Sequence, residues 1–393
     1  MSGTVMDTTD AAVACAHLTL SSPDKTTVRN TATGPDGGFS VAGLPSGTYQ
    51  MEITAPGFAE YRNDSVVIAV GRDLRIDAQL TLAQASQRVT VHSQAEALDT
   101  SQSSSVTNID RDRIEELPIP NRNYLSFTLL APALASANPA YGRQAPAAGE
   151  GGFSTGGLRP SSNALYIDGV DDNDEYTGLS RTELSPEAIS DFQVVNHGYA
   201  AETGGAAGGS VDVETRSGAN VQHGDAFLFV QNGALNGTPA LERVPRKPDE
   251  NRLRAGLSTG GAIQRGKSFY YLAGEQELAR GEEASDFDPQ QAAVIDSAVR
   301  QTGPLSGFHL QQGFFPTTNE ETEFSTRIDR EFQKNALMVR YALTNNRSVN
   351  DAFNTDDLSD LSARGSAFYS DNSLNGSWNT TLSPHLLNQF NFE

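Results

Sequence analysis

The sequence is poor in cysteine, in basic residues and in long apolar runs. Its 393 residues include one cysteine, Cys15, which excludes an intrachain disulfide and a cysteine-ligated zinc site. Lysine and arginine total 28 against 49 acidic residues, giving a formal net charge of −21. This balance disfavours nucleic acid as a partner, because nucleic-acid binding needs clustered basic residues. No run of 18 apolar residues is present, so no transmembrane helix is expected.

Patterns for catalysis, metal binding and phosphate binding are also missing. The six histidines do not form an HExxH-type motif, and no Ser/His/Asp or Cys/His set can be assembled. The glycine cluster at 204–209 lacks the Gly-Lys-Ser/Thr ending of a phosphate loop, so close backbone packing is the expected role. The acidic loop at 168–175 lacks calcium-loop spacing. We expect it to be a solvated turn, with metal or substrate contact as weaker alternatives. The sequence therefore predicts no enzyme, no catalytic residue, no cofactor and no metal site.

What the chain does have is a rhythm of alternating segments in its second half. Half-polar segments predict strands at 225–232, 252–264, 268–278, 323–332, 336–344, 373–381 and 385–393. Short connections at 265–267, 333–335 and 382–384 alternate with long ones at 233–251, 279–322 and 345–372. Tight turns at one end and long loops at the other are typical of an outer-membrane barrel. A soluble antiparallel sheet with one wet face is the alternative.

The individual segments carry the chemistry that a membrane strand needs. Leu253 and Leu257 share one face, against Arg252 and Arg254 on the other. Each segment has about 9–13 residues, near the 9–11 that a tilted strand needs to cross the hydrocarbon. Aromatic residues near strand ends suggest interfacial girdles: Tyr270, Tyr271, Trp378, Phe390 and Phe392.

Residues 1–84 read as a small β-sandwich. Short strands are expected at 13–20, 26–32, 39–41, 48–55, 66–70 and 74–82, separated by glycine and proline turns. Cys15 falls in the first of these and is expected to be a buried small apolar residue. The segments 3–7 (GTVMD), 36–41 (DGGFSV), 44–49 (LPSGTY) and 56–58 (PGF) resemble the carboxypeptidase regulatory-like domain, a transthyretin-like sandwich.

Residues 85–220 mix short helices and strands. Asp110 is expected to cap a helix over 111–117, a second helix is expected at 123–130, and 185–187 (SPE) starts a third. This region resembles the plug domain of TonB-dependent outer-membrane receptors, in the Oar-like branch. The resemblance is carried by 116–124 (ELPIPNRNY), 157–159 (GLR), 166–170 (YIDGV), 186–194 (PEAISDFQV), 199–213 (YAAETGGAAGGSVDV) and 215–220 (TRSGAN).

The resemblance implies a β-rich, multidomain fold: a transthyretin-like sandwich (1–84), an α/β plug (85–220) and the first strands of an antiparallel transmembrane barrel (221–393). Its structural plug motif maps to Arg159, Asp168, Gly169, Gly204, Gly208 and Gly209. In the family the glycine region packs the plug against the barrel wall.

The implied partners are outer-membrane lipid, an extracellular solute and the TonB–ExbB–ExbD energising complex. That complex binds a β-prone segment before the plug, the TonB box, by strand addition. Arg88, Val89, Thr90 and Val91 are the candidate box by position.

The resemblance predicts uptake of a bulky solute across the Gram-negative outer membrane, with the plug and N-terminal module on the periplasmic side. Carbohydrate, peptide and metal chelate are all open as the solute. Seven strands are too few for the 22-stranded barrel of the family, and no signal peptide is visible, so we expect a fragment shortened at both ends. A secreted or surface adhesion protein made of β-modules is the alternative.

Overall fold

The structure is a computed structural model, and it describes most of the sequence. The described residues are 1–23, 27–41, 43–70, 74–83, 89–91, 105–119, 122–136, 153–174, 180–198, 204–237, 246–285, 289–305, 307, 309–311, 313–332, 334–351, 360–383 and 386–393. The long glycine- and alanine-rich stretch centred on residue 145 therefore lies outside the described residues.

The N-terminal module is a sandwich of two sheets around an apolar core. Its strands are β1 (Ser2–Asp7), β2 (His17–Ser21), β3 (Val28–Ala32), β4 (Gly38–Ser40), β5 (Gly47–Thr54), β6 (Tyr61–Ile68), β7 (Ala78–Leu80) and β8 (Val89–Val91). The sheets run β4-β1-β7 and β3-β2-β5-β6-β8. Leu18, Leu20, Met51 and Ile53 from alternate positions of β2 and β5 are fully buried between them. The predicted sandwich is confirmed.

The expectation for Cys15 was wrong. Cys15 is exposed, and its φ of 54° puts it in the left-handed region. The apolar run that begins at Val13 is bent by a turn before β2 starts at His17. Alternation counted across that turn gives the wrong face, because period two holds only within a continuous strand.

The plug-like segment, hereafter the plug, is a five-stranded mixed sheet covered by short helices. Its elements are β9 (Ser105–Ile109), α1 (Arg111–Glu116), β10 (Leu134–Ser136), β11 (Phe153–Thr155), β12 (Ala164–Ile167), β13 (Val170–Asp171), β14 (Ile189–His197) and β15 (Ser210–Thr215). The main sheet runs β13-β12-β15-β14-β9. Its core contains Ile109, Phe127, Phe192 and Val211, each at most 1% exposed.

The helix starts expected in the plug are present, but two of the helices are 3-10. Asp110 caps α1 by accepting a hydrogen bond from the Arg113 amide at 3.1 Å. The second helix spans Tyr124–Leu130 and the third Pro186–Ala188, both 3-10 in geometry. The third is a single turn because Ile189 already belongs to β14.

The second half of the chain is one antiparallel sheet, hereafter the wall sheet. Its strands are β16 (His223–Asn232), β17 (Glu250–Gln264), β18 (Ser268–Ser285), β19 (Gly313–Phe332), β20 (Asn335–Asp351), β21 (Gly365–Ser383) and β22 (Leu386–Phe392). They pair in chain order. The helix α2 (Pro289–Arg300) lies in the connection between β18 and β19. Among the described residues, no helix is long and apolar enough to cross a membrane.

All seven predicted wall strands are present, but five of them extend further toward the long connections than expected. β19 begins at Gly313 rather than 323, and β18 ends at Ser285 rather than 278. The added pairs are largely polar, such as Glu277 opposite Glu321 and Asn319 opposite Ser348. Because both faces are polar there, the apolar alternation that marks a strand disappears although the hydrogen-bonded ladder continues.

Candidate functional site

The wall sheet turns polar side chains inward and apolar side chains outward. Arg254, Ser258, Glu323 and Arg340 are buried against the plug. On the opposite face, six of the seven strands carry exposed apolar side chains; among them are Leu228, Leu257, Leu278, Ile328, Leu374, Trp378 and Phe390. The outward apolar side chains of the remaining strand, β20, are half-buried. A water-facing sheet shows the reverse arrangement. A face this apolar on the outside fits contact with lipid.

Antiparallel register places the inward side chains in rungs that run across the sheet. One rung contains Tyr271, Arg327, Arg340 and Asn375 on four consecutive strands. Two rungs further along β18, Glu275 stands opposite Glu323, which stands opposite Thr344. These polar rungs form the surface on which the plug sits.

Asp168 anchors the plug to the first of these rungs. Its Oδ1 lies 3.2 Å from Arg327 Nη1, and its Oδ2 lies 2.9 Å from Arg340 Nε. The second contact is an ion pair that is not aligned as a hydrogen bond. Arg340 Nε, Nη1 and Nη2 all lack hydrogen-bond partners among the described residues. Arg340 is 1% exposed, so Asp168 is its buried counter-charge.

The turn geometry at Asp168 explains how its carboxylate reaches the wall. Asp168 has a φ of 54° and Gly169 a φ of 79°, both in the left-handed region that aspartate and glycine tolerate best. Asp168 Oδ1 also accepts a hydrogen bond from the Thr215 amide at 2.9 Å, which ties the turn to β15. The Gly169 carbonyl accepts one from Asn391 Nδ2 of β22 at 3.2 Å.

A second anchor is built around Arg122 and two glutamates. Arg122 Nε lies 3.1 Å from Glu275 Oε1 of the wall, and Arg122 Nη2 lies 3.0 Å from Glu187 Oε1 of the plug. Ser185 donates a 2.6 Å hydrogen bond to Glu275 Oε2. Arg111 holds Glu187 from its other side at 3.0 Å. The plug and the wall are therefore joined by ion pairs and hydrogen bonds rather than by a continuous apolar core.

The N-terminal module also contacts the plug through polar groups. The Ser46 amide donates to Glu214 Oε2 of β15 at 3.0 Å, and Gln193 Nε2 of β14 donates to the Val70 carbonyl at 2.6 Å. Arg29 forms an ion pair with Glu331 of the wall. Burial raises the pKa of Glu214 to about 7, and its ionised form is supported by Arg327 and Ser46.

The other residues of the predicted plug motif lie apart from this interface. Gly208 and Gly209 pack within the plug: a Cβ on Gly208 would meet Asn163 Oδ1 at 2.5 Å, and one on Gly209 would meet the Val195 carbonyl oxygen at 2.9 Å. The expectation that they pack against the barrel wall was wrong, because β15 starts directly after them inside the plug sheet. Gly204 has open space around it, and Arg159 is exposed.

The acidic loop does not gather into a metal site. Asp168 faces two arginines, whereas Asp172 Oδ2 accepts hydrogen bonds from the Thr182 amide at 3.1 Å and from Ser180 at 3.2 Å. Burial raises the pKa of Asp172 to about 6. In the part of the chain that the structure describes, no group of three or more acidic, histidine or cysteine side chains is arranged to hold a metal ion. Glu175 lies outside the described residues.

The candidate TonB box is a strand at the edge of the N-terminal module. β8, which contains Val89, Thr90 and Val91, pairs parallel to β6, with Thr90 opposite Arg62. Arg88 lies outside the described residues. β8 is the last strand of its sheet, so its second edge is unpaired within that sheet.

Several interface residues were missed from the sequence. Four of them lie at inward positions of predicted strands: Arg327, Arg340, Glu275 and Glu323. The sequence shows the alternation but not which residues of the plug these side chains contact. Tyr271 was assigned to an aromatic girdle, yet it is 2% exposed and donates to the Glu187 carbonyl at 2.9 Å. Its odd position in β18 shares the inward face with Glu275, whereas Tyr270 does not.

Comparison with family models agrees with this architecture. Residues 1–81 match the carboxypeptidase regulatory-like domain, and residues 97–211 match the TonB-dependent receptor plug domain. The matched plug lies on the polar face of a meander whose other face is apolar. The chain therefore carries the plug domain of the TonB-dependent receptors. Homologues in that family are outer-membrane β-barrel proteins.

Individual relatives show how much of such a receptor the chain represents. It is 24% identical over 284 residues to the TonB-dependent transporter Oar of Myxococcus xanthus, covering 68% of this chain and 26% of that protein. The outer membrane transporter YddB of Escherichia coli aligns with a TM-score of 0.51 at 12% identity, over 71% of this chain and 37% of that one. The ferric enterobactin receptor PfeA of Pseudomonas aeruginosa gives 0.46 at 12% identity, over 70% and 38%. The chain thus spans about a quarter of the curated relative that it matches.

Proposed function

We propose that this chain serves energy-coupled uptake of a bulky solute across the outer membrane. The observation that carries the proposal is the plug–wall interface. Asp168 and Arg122 of the plug are held by Arg327, Arg340 and Glu275 of the wall through buried polar contacts. Such contacts can be exchanged for water one by one, so a plug joined in this way can be moved without exposing an apolar core.

The class of solute is proposed only as broadly as the residues allow. Carbohydrate, peptide and metal chelate all suit a route that begins at long strand connections and passes a plug. The wall strands next to those connections present polar inward side chains, including Arg252, Asn319 and Ser348. These groups would meet a solute through hydrogen bonds and charge. They suit a polar solute of any of the three classes.

The proposed energising partner is the TonB–ExbB–ExbD complex, acting on residues 88–91 as the TonB box. The support is the edge position of β8, because strand addition needs an unpaired edge. On this proposal the domain boundaries lie near residues 84 and 220, and the module and plug face the periplasm. Asp168 and Gly169 position the plug against the wall, whereas Gly204, Gly208, Gly209 and Arg159 shape the plug itself.

The adhesion alternative gains no support from a specific contact. A secreted β-module protein would need a water-compatible surface on both sides of its long sheet. The outward face of the wall sheet instead exposes Leu257 at 59%, Trp378 at 48% and Phe390 at 56%.

The partner proposal can be tested by cross-linking the receptor to the periplasmic domain of TonB. Thr90→Pro removes the backbone N–H at the centre of the candidate box and blocks strand addition. We expect capture of TonB to be lost in Thr90→Pro and kept in the matched control Thr90→Ala. Equal capture by both variants would contradict the assignment of the box at 88–91.

The solute can be tested by uptake in cells that carry or lack the gene. Labelled oligosaccharides, peptides and ferric chelates would be supplied with and without a functional TonB. We expect one class to enter only when both the receptor and TonB are present. Uptake of no class, or uptake independent of TonB, would contradict the transport proposal.

A further inference from the structure

Two neighbouring rungs of the wall sheet place glutamate opposite glutamate. On β18 and β19, Glu275 stands directly opposite Glu323, and Glu277 stands directly opposite Glu321. All four side chains point inward, toward the plug. Like charges directly opposite each other destabilise an antiparallel pair, so this arrangement needs counter-charges or protons.

The available arginines neutralise only part of this cluster. Arg254 Nη1 lies 2.9 Å from Glu275 Oε1, and Arg254 Nε donates to Glu277 Oε2 at 2.7 Å. Arg122 contacts Glu275 as well, at 3.1 Å. Glu321 is 3.9 Å from Arg254, and Arg252 is 3.8 Å from Glu277. Glu323 forms no ion pair of this kind among the described residues.

Glu323 is the least satisfied member of the cluster. It is 8% exposed, and its Oε2 is buried without a hydrogen-bond partner in the described part of the chain. Leaving a buried carboxyl oxygen unpaired costs free energy, and the cost is larger when the group is charged. A proton on this carboxyl would remove the charge and supply a donor.

The plug adds a fifth carboxyl at this point. The Glu183 amide donates to Thr344 Oγ1 at 3.2 Å, and Thr344 Oγ1 donates to the Glu183 carbonyl at 3.1 Å. Thr344 stands directly opposite Glu323, so these two hydrogen bonds place the Glu183 backbone at the rung that contains Glu323. The charge of Glu183 acts on Glu323 across this contact. The Glu183 side chain, 6% exposed, has Asn123 Nδ2 at 3.5 Å as a weak polar contact.

The charges around Glu183 favour its neutral form. Burial raises the pKa of Glu183 well above its ordinary value, and the charges of Glu321 and Asp172 raise it further, while Arg254 opposes them. The groups around the pair Glu183 and Glu323 come from both sides. The plug contributes Asp172 and Asn123, and the wall contributes Glu321, Glu275, Thr344 and Arg254. Arg254, the cation among these groups, is already paired with Glu275 and Glu277.

We propose that the plug sits against the wall with a proton held between Glu183 and Glu323, and that loss of this proton loosens the plug. One protonated carboxyl donates its O–H toward the other, which accepts it. When the plug separates from the wall, both carboxyls become hydrated and ionise. Seating therefore takes up a proton. The proposal rests on the plug–wall contact alone and holds whichever solute is carried.

The sign of the pH dependence follows from this linkage. The pKa of the Glu183 carboxyl is higher in the seated state than in the separated state. The stabilisation is therefore complete below the pKa of the hydrated carboxyl and is lost as the pH rises toward the seated-state pKa. Within that window, a linkage to one proton changes the ratio of seated to separated plug by about tenfold per pH unit.

The test is amide hydrogen exchange in β12, β14 and β15, measured on the receptor at its natural length from about pH 5 to about pH 9. Each rate is divided by the intrinsic exchange rate at the same pH. We expect the protection of these strands to fall by up to about tenfold per pH unit in the unmodified protein. Glu183→Gln and Glu323→Gln should each flatten the profile and keep the plug protected at high pH.

Glu320→Gln is the matched control. Glu320 is on the same strand as Glu323 but is exposed on the outward face, so its replacement should leave the pH profile unchanged. An unchanged slope in Glu183→Gln and Glu323→Gln would overturn the proposal. So would a loss of protection at every pH in both, because that result shows a structural hydrogen bond rather than a proton. If one variant fails to fold, the other decides. Solute and TonB are absent from the experiment, so its failure is separate from failure of the transport proposal.

Discussion

The N-terminal module and the wall sheet are both β-structures with alternating side chains, yet they turn opposite faces inward. In the module, apolar side chains such as Leu18 and Ile53 are buried, and Val67 on the outward face of β6 is an isolated exposed apolar residue. In the wall, Arg340 and Glu323 are buried, and apolar residues line the outside. Alternation alone therefore identifies a strand but does not say which face meets the protein interior.

The N-terminal module and the plug–wall interface are also stabilised by different interactions. The module is stabilised by burial of apolar area, which resists small changes in charge. The plug–wall interface depends on buried ions, whose desolvation cost is balanced only while each partner is present. The two regions should therefore respond differently to the removal of a charge, to the addition of a charge on the outside, and to pH.

The largest effect is expected from removing the carboxylate between two buried arginines. Asp168→Asn keeps the shape and the tolerance for a left-handed backbone, but leaves Arg340 without its described ion pair. We expect the plug–wall contact to weaken by about 3–5 kcal/mol, because an uncompensated buried charge remains. Hydrogen-exchange protection of β12 and β15 measures this loss. The control is Asp171→Asn, an exposed residue of the adjoining strand β13. An equal effect in both variants would contradict the role of Asp168.

A second prediction compares the replacement of one exposed apolar residue by arginine on the outward face of the wall sheet and of the N-terminal module. Leu257 of the wall is 59% exposed and Val67 of the module is 64% exposed. In lipid vesicles, Leu257→Arg should lower the free energy of unfolding by about 2–4 kcal/mol if Leu257 lies near the bilayer midplane. Val67→Arg should change it by no more than about 0.5 kcal/mol, because this residue faces water. Denaturant titration in vesicles gives both values, and similar costs at the two positions would remove the distinction between the faces.

The smallest expected effect concerns pH at the contact between the module and the plug. Glu214, with its pKa raised to about 7 by burial, accepts a hydrogen bond from Ser46 across this contact. Undocking exposes the carboxyl and lowers its pKa, so docking takes up a proton. Docking should be firm below the pKa of the exposed carboxyl and should weaken as the pH rises through about 7. Hydrogen exchange of residues 43–47 follows docking, and a Glu214→Gln variant that keeps the full pH dependence would refute the assignment.

The sequence was sufficient for the architecture but not for the interface. The wall strands, the α1 cap at Asp110 and most of the sandwich strands follow from local patterns, which act within a few residues. The strand β1 was not predicted. Arg327 and Asp168 are 159 positions apart, and nothing local indicates that they meet. The expectations for Cys15 and Tyr271 were wrong for a related reason. A turn exposes Cys15, and the strand register places Tyr271 on the inward face. Close backbone packing at Gly208 and Gly209 was expected correctly, but they pack within the plug and not against the wall.

The most direct test of the account is whether the outward face of the wall sheet meets lipid. Trp378, the one tryptophan of the sequence, is 48% exposed on that face of β21 and reports on this through its fluorescence. Its fluorescence is measured in vesicles with brominated acyl chains and, separately, with acrylamide in the water. The account predicts strong quenching by the brominated lipid and weak quenching by acrylamide. Strong quenching by acrylamide with none by the brominated lipid would contradict it, because the apolar face would then be in water.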